Sequence, residues 1–187
     1  FFSPDRTQNS IGMSQAGAFM HRARRAFEEG GFEVQTVRLA TPPFPIWLPE
    51  LTEKRLLSEA HNLENAAIDQ EVNYLSLGPA LPNFPVSYSL IPAALAETQN
   101  VFFAGSLTTP QEGISLAAIR ACGEIIHMAA SLENDGFANL RFAALANVPA
   151  GAPFFPAAYH AGGAPAFSLA CEAADLAVTA FSEANSL

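Results

Sequence analysis

The sequence predicts an α/β protein in which parallel strands alternate with helices. Short apolar runs of strand length alternate along the 187 residues with longer segments whose apolar side chains recur every three or four positions. Half of the residues are apolar and 14% are charged, which is typical of a chain that buries a core. Because parallel neighbours need crossover connections, this alternation favours a parallel sheet with helices packed against it. The length suits one such domain or a large part of one.

Five segments carry the periodicity of amphipathic helices. The first ends at Gly30 and Gly31, which supply the left-handed conformation that closes a helix. The third contains Pro92, which we expect in the first turn, where a missing N–H group has no cost. The predicted helices span residues 14–29, 51–70, 89–98, 113–131 and 173–186.

Runs rich in apolar and β-branched residues predict five strands between these helices. They span residues 33–39, 73–77, 101–107, 138–148 and 166–171. Phe1 and Phe2 read as the inside of a further apolar strand, so we expect residues to precede the chain.

The segment TPPFPIWLPE, residues 41–50, interrupts the alternation. Its four prolines argue against regular structure, whereas Phe44, Ile46 and Trp47 need a dry environment. Two interpretations remain: a rigid, packed crossover, or a patch that faces a partner. The first is favoured because exposed aromatic side chains of that size promote association.

Charge and hydropathy exclude several classes of function. Nine basic against eighteen acidic residues give a net charge of −9, and Lys54 is the single lysine, so we expect no nucleic-acid partner. The basic cluster His21, Arg22, Arg24 and Arg25 is interpreted as a solvated helix end rather than an anion site. No apolar run approaches the roughly 20 residues of a membrane span, and no secretory leader is recognisable. We therefore expect a cytoplasmic protein without a membrane partner.

No short motif identifies a reaction or a cofactor. The sequence lacks GxGxxG, GxxxxGK[ST], GxSxG and HExxH, which leaves nucleotide, hydrolase and zinc-peptidase chemistry without their usual signals. Cys122 and Cys171 belong to no CxxC motif, so we interpret both as buried free thiols. The cofactor stays unknown, and no metal site is predicted.

Polar residues follow two predicted strands at the edge where parallel α/β proteins bind ligands. Ser106, Thr108 and Thr109 end one strand, either as helix caps or as ligand contacts. Asn147 ends the next strand, where its amide binds a ligand or closes a turn.

The stretch GAPFFPAAYHAGGAP, residues 151–165, is the strongest candidate for a functional loop. Prolines fix its course, and glycines such as Gly162 let backbone approach a ligand. His160, beside Tyr159, carries the one side chain whose unperturbed pKa lies near neutrality, although a lone histidine is usually structural. Glu172 is the nearest acidic residue that could orient the imidazole, or it simply complements a helix dipole.

Neither a further histidine nor a metal is expected to act at that loop. His61 and His127 fall within predicted helices, where we expect them to cap or pack. One histidine and one carboxylate do not make a metal site, because a third ligand is needed.

Two long stretches carry a family resemblance. IPAALAETQNVFFAGSLTTPQEGISLAAIRACGEII and FAALANVPAGAPFFPAAYHAGGAPAFSLACEAADLAVTAF resemble the domain of unknown function 711 family, also called uncharacterised protein family 0210, over about residues 90–181. The most specific pieces are ALAET, the spacing from Ser106 to Gly113-Ile114, and the loop that holds, in family order, Asn147, Pro153-Phe154, Ala158, His160 and Gly162. Residues 1–89 match in pattern alone.

The resemblance implies a fold and no reaction. Members look like the pyruvate formate-lyase type of barrel, with ten strands in two parallel halves. This chain would form the N-terminal half or slightly more, either as a fragment of a longer chain or as a shortened relative. The strand corresponding to AFSLACE leads into a glycine-rich SGPG turn in one branch of the family, whereas Glu172 to Asp175 follows here. This departure argues against a backbone oxyanion cradle at that turn.

The favoured function is an enzyme acting on a small polar metabolite. His160 would act as acid–base or ligand-orienting group, with Asn147, Ser106 and Glu172 around it. The alternative is a non-catalytic ligand-binding or assembly subunit whose proline-rich and aromatic loops bury against a partner. Both functions are compatible with a homo-oligomer, which the apolar composition and the half-barrel favour.

Overall fold

The computed structural model describes residues 6–111 and 113–184. Phe1 and Phe2, with the strand predicted there, lie outside the described residues. Helices and strands follow one another in the order α1 (Arg6–Glu29), β1 (Arg38–Ala40), α2 (Phe44–Trp47), α3 (Glu53–Asp69), β2 (Tyr74–Ala80), α4 (Val86–Glu97), β3 (Val101–Ser106), β4 (Thr108–Thr109), β5 (Gly113–Ile114), α5 (Leu116–Ala129), α6 (Phe137–Leu140), β6 (Phe142–Leu145) and α7 (Ala174–Glu183).

Four strands form a parallel sheet in the order β1-β2-β3-β6, which confirms the predicted α/β architecture. Each strand lies beside the next sheet strand along the chain, so the sheet is wound in one direction. The short strands β4 and β5 pair antiparallel in a separate hairpin directly after β3. None of the described helices is long and apolar enough to cross a membrane.

One side of the sheet, which we call the helix face, carries the main core. Side chains alternate across a strand, so Leu75 and Leu77 of β2 share this face with Val101 and Phe103 of β3, all nearly inaccessible to solvent. The Phe44 ring meets Phe103 edge-on, with centroids 5.9 Å apart. Buried side chains of α3, α4 and α5 complete the same hydrophobic cluster.

The opposite side, which we call the loop face, carries Arg38 and Ala40 of β1, Tyr74 and Ser76 of β2, and Phe102 of β3. Phe102 is buried although it lies outside the main cluster. A parallel sheet requires cover on both sides, and here residues 148–160 provide it.

Side chains from elsewhere in the chain donate hydrogen bonds to the last carbonyl groups of α4. Arg141, 1% exposed, donates from Nη2 to the Leu95 carbonyl oxygen at 2.7 Å and to Glu133 Oε1 at 3.0 Å. His61 Nε2 lies 2.8 Å from the Glu97 carbonyl oxygen, which confirms the capping role expected for this histidine. These contacts supply partners that the last carbonyls of a helix lack.

Two predicted strands are shorter than expected. The strand predicted at residues 33–39 is observed as β1, Arg38–Ala40, which begins five residues later. The earlier residues pair with no described strand, because β2 begins opposite Arg38. The strand predicted at residues 138–148 overlaps the one-turn helix α6, so β6 begins at Phe142. This helix starts because Gly136 adopts a left-handed φ of 76° and Asp135 Oδ1 accepts from the Phe137 N–H group.

The strand predicted at residues 166–171 is wrong. The segment is exposed and unpaired within the described residues, with Phe167 and Leu169 at 52% and 53% exposure. A strand needs a neighbour for its backbone groups, and no described strand pairs with this segment. Cys171, predicted as buried, is exposed for the same reason, whereas Cys122 is buried as expected.

Helix boundaries also differ from the predictions. The predicted first helix is confirmed, although it begins earlier, at Arg6. Helix α4 begins at Val86, so Pro92 lies in its interior rather than its first turn. Extensive burial of α4 offsets the hydrogen bond that this proline removes. Gly113 and Ile114, assigned to the fourth helix, form β5 instead.

The proline-rich segment 41–50 is a packed crossover. It contains the one-turn helix α2, contrary to the expected lack of regular structure, because prolines are compatible with a first helical turn. Phe44 and Trp47 are 0% and 4% exposed, whereas Ile46 is 64% exposed. The partner-facing alternative is therefore wrong for the two aromatic side chains.

We predict that Gly105→Ala destabilises the protein, because β3 meets α4 and α5 without space for a methyl group. A Cβ atom there would lie 2.5 Å from Cys122 Sγ and 3.2 Å from Tyr88 Cε1. We expect a loss of about 1–3 kcal/mol in the free energy of unfolding in urea. Cys122→Ala should restore part of it in a double-mutant cycle.

Gly123→Ala is the matched control, since a Cβ at this exposed position of α5 meets no atom within 4 Å. It should stabilise the helix by about 0.5–1 kcal/mol. Equal effects at both glycines, without coupling between positions 105 and 122, would contradict the described packing.

Candidate functional site

Residues 148–160 form a closed loop, which we call the histidine loop. The Gly151 N–H group donates to the Tyr159 carbonyl oxygen at 2.9 Å. The Tyr159 hydroxyl donates to the Val148 carbonyl oxygen at the same distance. The two ends of the loop are thereby joined, as in the compact surface loops that often carry function.

Three contacts fix this loop to three strands of the sheet. The Phe155 ring meets Phe102 of β3 edge-on, with centroids 5.4 Å apart. Ser76 Oγ of β2 donates to the Ala158 carbonyl oxygen at 2.7 Å. The His160 N–H group donates to the Thr41 carbonyl oxygen, directly after β1, at 3.0 Å. His160 is thus placed at the carboxyl end of β1.

Ser76 couples the histidine loop to the bend in β2. This fully buried hydroxyl also accepts a hydrogen bond from the Gly78 N–H group at 3.2 Å. Gly78 has a φ of 72°, and a Cβ there would lie 2.9 Å from Pro43 Cα, so no other residue fits. The packed crossover, the bend and the histidine loop therefore meet at one point.

The imidazole of His160 is half-buried and bonded on one side. Its Nδ1 accepts from the Gly162 N–H group at 2.9 Å. An acceptor Nδ1 in a neutral ring places the proton on Nε2, which leaves Nε2–H as the donor. Gly162 adopts a φ of 89°, which explains the glycine at this position.

Ser106 and Thr108 lie together at the carboxyl end of β3. Ser106 Oγ donates to the Thr108 carbonyl oxygen at 2.8 Å, and the Tyr88 hydroxyl donates to the Ser106 carbonyl oxygen. The following helix α5 is capped by Ser115, whose hydroxyl accepts from the Ala118 N–H group at 3.2 Å. The expected capping role therefore belongs to Ser115.

The structure does not bring the two remaining candidates, Asn147 and Glu172, into hydrogen-bonding contact with the imidazole of His160. Asn147 is exposed and has a φ of 54°, a left-handed conformation that favours asparagine and accounts for its place in the turn. Glu172 accepts from Gln35 Nε2 at 2.9 Å. Within the described residues, no hydrogen bond joins Glu172 to His160.

Burial raises the pKa of three groups, Cys122 and Tyr88 near the helix face and Tyr159 in the histidine loop. Burial raises the pKa of the Cys122 thiol to about 11, so thiolate is scarce near neutrality. Burial, together with Cys122, also raises the pKa of Tyr88, and burial raises the pKa of Tyr159. Among the described residues, no three His, Cys, Asp or Glu side chains converge as metal ligands would.

Thr41 and Ser76, which fix the histidine loop, escaped sequence reasoning. Ser76 looks like an ordinary polar residue in a strand, and its partner Ala158 lies 82 positions away. No local pattern signals such a contact.

Comparison with known proteins identifies the family. A family model described as "Uncharacterised ACR (DUF711)" matches residues 5–187. The chain belongs to this family. The resemblance seen over residues 90–181 thus extends over nearly the whole chain.

Several relatives carry the name UPF0210 protein. Those of Acetivibrio thermocellus and Halothermothrix orenii are each 28% identical to this DUF711 chain, over 148 and 158 residues, covering 74% and 80% of it. That of Pyrobaculum islandicum is 30% identical over 142 residues, covering 72%. These matches cover 32%, 35% and 31% of the respective relatives, so the chain spans about a third of their length.

We predict that Ser76→Ala destabilises the protein, because it leaves the Ala158 carbonyl and the Gly78 N–H group without their buried partner. The expected loss in the free energy of urea unfolding is about 1–3 kcal/mol. Ser89→Ala is the control, since that hydroxyl is exposed and bonds to Val86 of its own helix. It should change stability by less than about 0.5 kcal/mol. Equal losses in the two variants would show that Ser76 does not hold the loop.

Proposed function

We propose that this chain provides a binding and acid–base site for a small polar metabolite, centred on His160. The observation that carries the proposal is the fixed position of His160: its backbone N–H group donates to the Thr41 carbonyl oxygen, and its imidazole Nδ1 accepts from the Gly162 N–H group. Such a side chain offers Nε2–H to a ligand without further ordering, which favours both orientation and proton transfer.

The other predicted residues take supporting roles in this proposal. Tyr159 holds the loop closed through Val148, and Gly162 permits the turn that reaches Nδ1. Ser106 and Thr108 line the carboxyl end of β3, two strands away from β1. Asn147 and Glu172 are exposed and would contact a ligand that approaches from solvent.

We further propose that the sheet is part of a ten-stranded α/β barrel. Two features support it: the strands follow chain order without reversal, and the helices of the core lie on one face. Sheets wound in both directions reverse their order and place helices on both faces, whereas barrels do neither. In a barrel the loop face would point inward and the carboxyl ends would surround the ligand.

The second candidate is an assembly role, most simply as a homo-oligomer. Helix α7 has no buried residue, and Leu176, Val178 and Phe181 are exposed on it. An apolar helix of ten residues gains little stability alone and favours a packing partner. The proposed contact surface of such an assembly is α7, because Phe44 and Trp47 are buried and cannot face a partner.

We predict that His160→Ala abolishes ligand-induced stabilisation. Binding to the native state raises the melting temperature by mass action. A thermal-shift screen would test divalent metals, small carboxylates, amino acids and keto acids against the wild type and two variants. His127→Ala is the matched control, because His127 is exposed near the end of α5. A ligand should stabilise the wild type and His127→Ala, and leave His160→Ala unchanged.

Light scattering after size exclusion, on the same samples, separates the two functions. The enzyme proposal predicts an unchanged oligomer in His160→Ala. A ligand shift that persists in His160→Ala would contradict a site at this histidine. An oligomer that dissociates in Phe181→Ala on α7, without a ligand effect in the wild type, would favour the assembly role.

A further inference from the structure

Arg38 lies between two aromatic rings on the loop face. Its Cζ atom is 5.8 Å from the centroid of the Tyr74 ring, on the neighbouring strand β2. It is 5.6 Å from the centroid of the Phe155 ring, which the histidine loop brings to this face. Aromatic rings at such distances attract the flat guanidinium and restrict its orientation.

One hydrogen bond fixes the guanidinium and leaves its outer edge without a protein partner. Nε donates to Thr36 Oγ1 at 2.8 Å. Within the described residues, no carboxylate lies within 4 Å of Arg38 and no acceptor binds its Nη atoms. Glu172 accepts from Gln35 Nε2, three positions before Arg38, at 2.9 Å.

Other arginines of the chain show how unusual this is. Each of the half-buried or buried arginines Arg24, Arg55 and Arg141 has a glutamate within 3.4 Å. Arg38 is half-buried as well, in a chain with twice as many acidic as basic residues, and yet no glutamate of residues 6–111 and 113–184 neutralises it. A partly desolvated cation without a counter-charge attracts an anion.

We propose that Arg38 forms a binding site for an oxyanion of the carboxylate or phosphate type. With Nε held by Thr36, the two Nη atoms present parallel donors that match two oxygen atoms of one anion. Tyr74 and Phe155 set the plane of this fork. The site needs the position of Phe155 and not the chemistry of His160, so it goes beyond the proposed function.

Anion binding to the full chain tests the proposal. Thermal shifts would be recorded with sodium phosphate and sodium malonate, against sodium chloride at equal ionic strength. Arg120→Met is the matched control, because Arg120 carries the same charge on the exposed surface of α5, paired with Glu124. We expect an anion-specific stabilisation of the wild type and of Arg120→Met, which Arg38→Met loses. The stronger of the two anions identifies the phosphate or the carboxylate class.

Two further variants keep the test decisive if Arg38→Met folds poorly. Arg38→Lys retains the charge and loses the fork, so binding should weaken by about tenfold. His160→Ala should keep the phosphate shift of the wild type, because in this proposal Arg38 and not His160 binds phosphate, which separates this site from the proposed catalytic role. Equal anion shifts in the wild type and Arg38→Lys, or no anion-specific shift in the wild type, would overturn the proposal.

Discussion

The buried hydroxyl of Ser76 is the contact on which the arrangement of the site depends. A parallel sheet must be covered on both faces, and α3, α4 and α5 cover one of them. Ser76 holds the Ala158 carbonyl of the covering loop and the Gly78 N–H group of its own strand. Without it, two buried polar groups would lack partners, and the loop that carries His160 would lose its central anchor.

Periodicity predicted the helices well, because helices such as α3 and α5 bury one apolar stripe and expose the opposite face. Strands were harder to predict, since a strand exists only where a neighbour supplies hydrogen bonds. Residues 166–171 have the composition of a strand and no partner among the described strands. Residues 101–107 have partners on both sides and are confirmed, apart from Leu107. The position of Pro92 in α4 was mispredicted for a similar reason, because the burial of α4 outweighs the cost of a proline in its interior.

The histidine loop shows both the reach and the limit of sequence reasoning. Its proline and glycine content indicated a fixed loop, and the observed contacts of Tyr159 and Gly162 agree with that. The partners of the loop could not be found, because Thr41, Ser76 and Phe102 are distant in sequence and ordinary in type. Arg38 was overlooked for the same reason, as its significance arises from rings on two other segments.

Hydrogen exchange at single amides tests most directly whether the loop is fixed to the sheet. The amides of Gly151 and His160, which donate to Tyr159 and Thr41, should exchange about two orders of magnitude more slowly than that of Gly163, which follows in the exposed segment. Protection of His160 equal to that of β1 would support a loop that opens only with the sheet. Exchange at His160 as fast as at Gly163 would contradict the account.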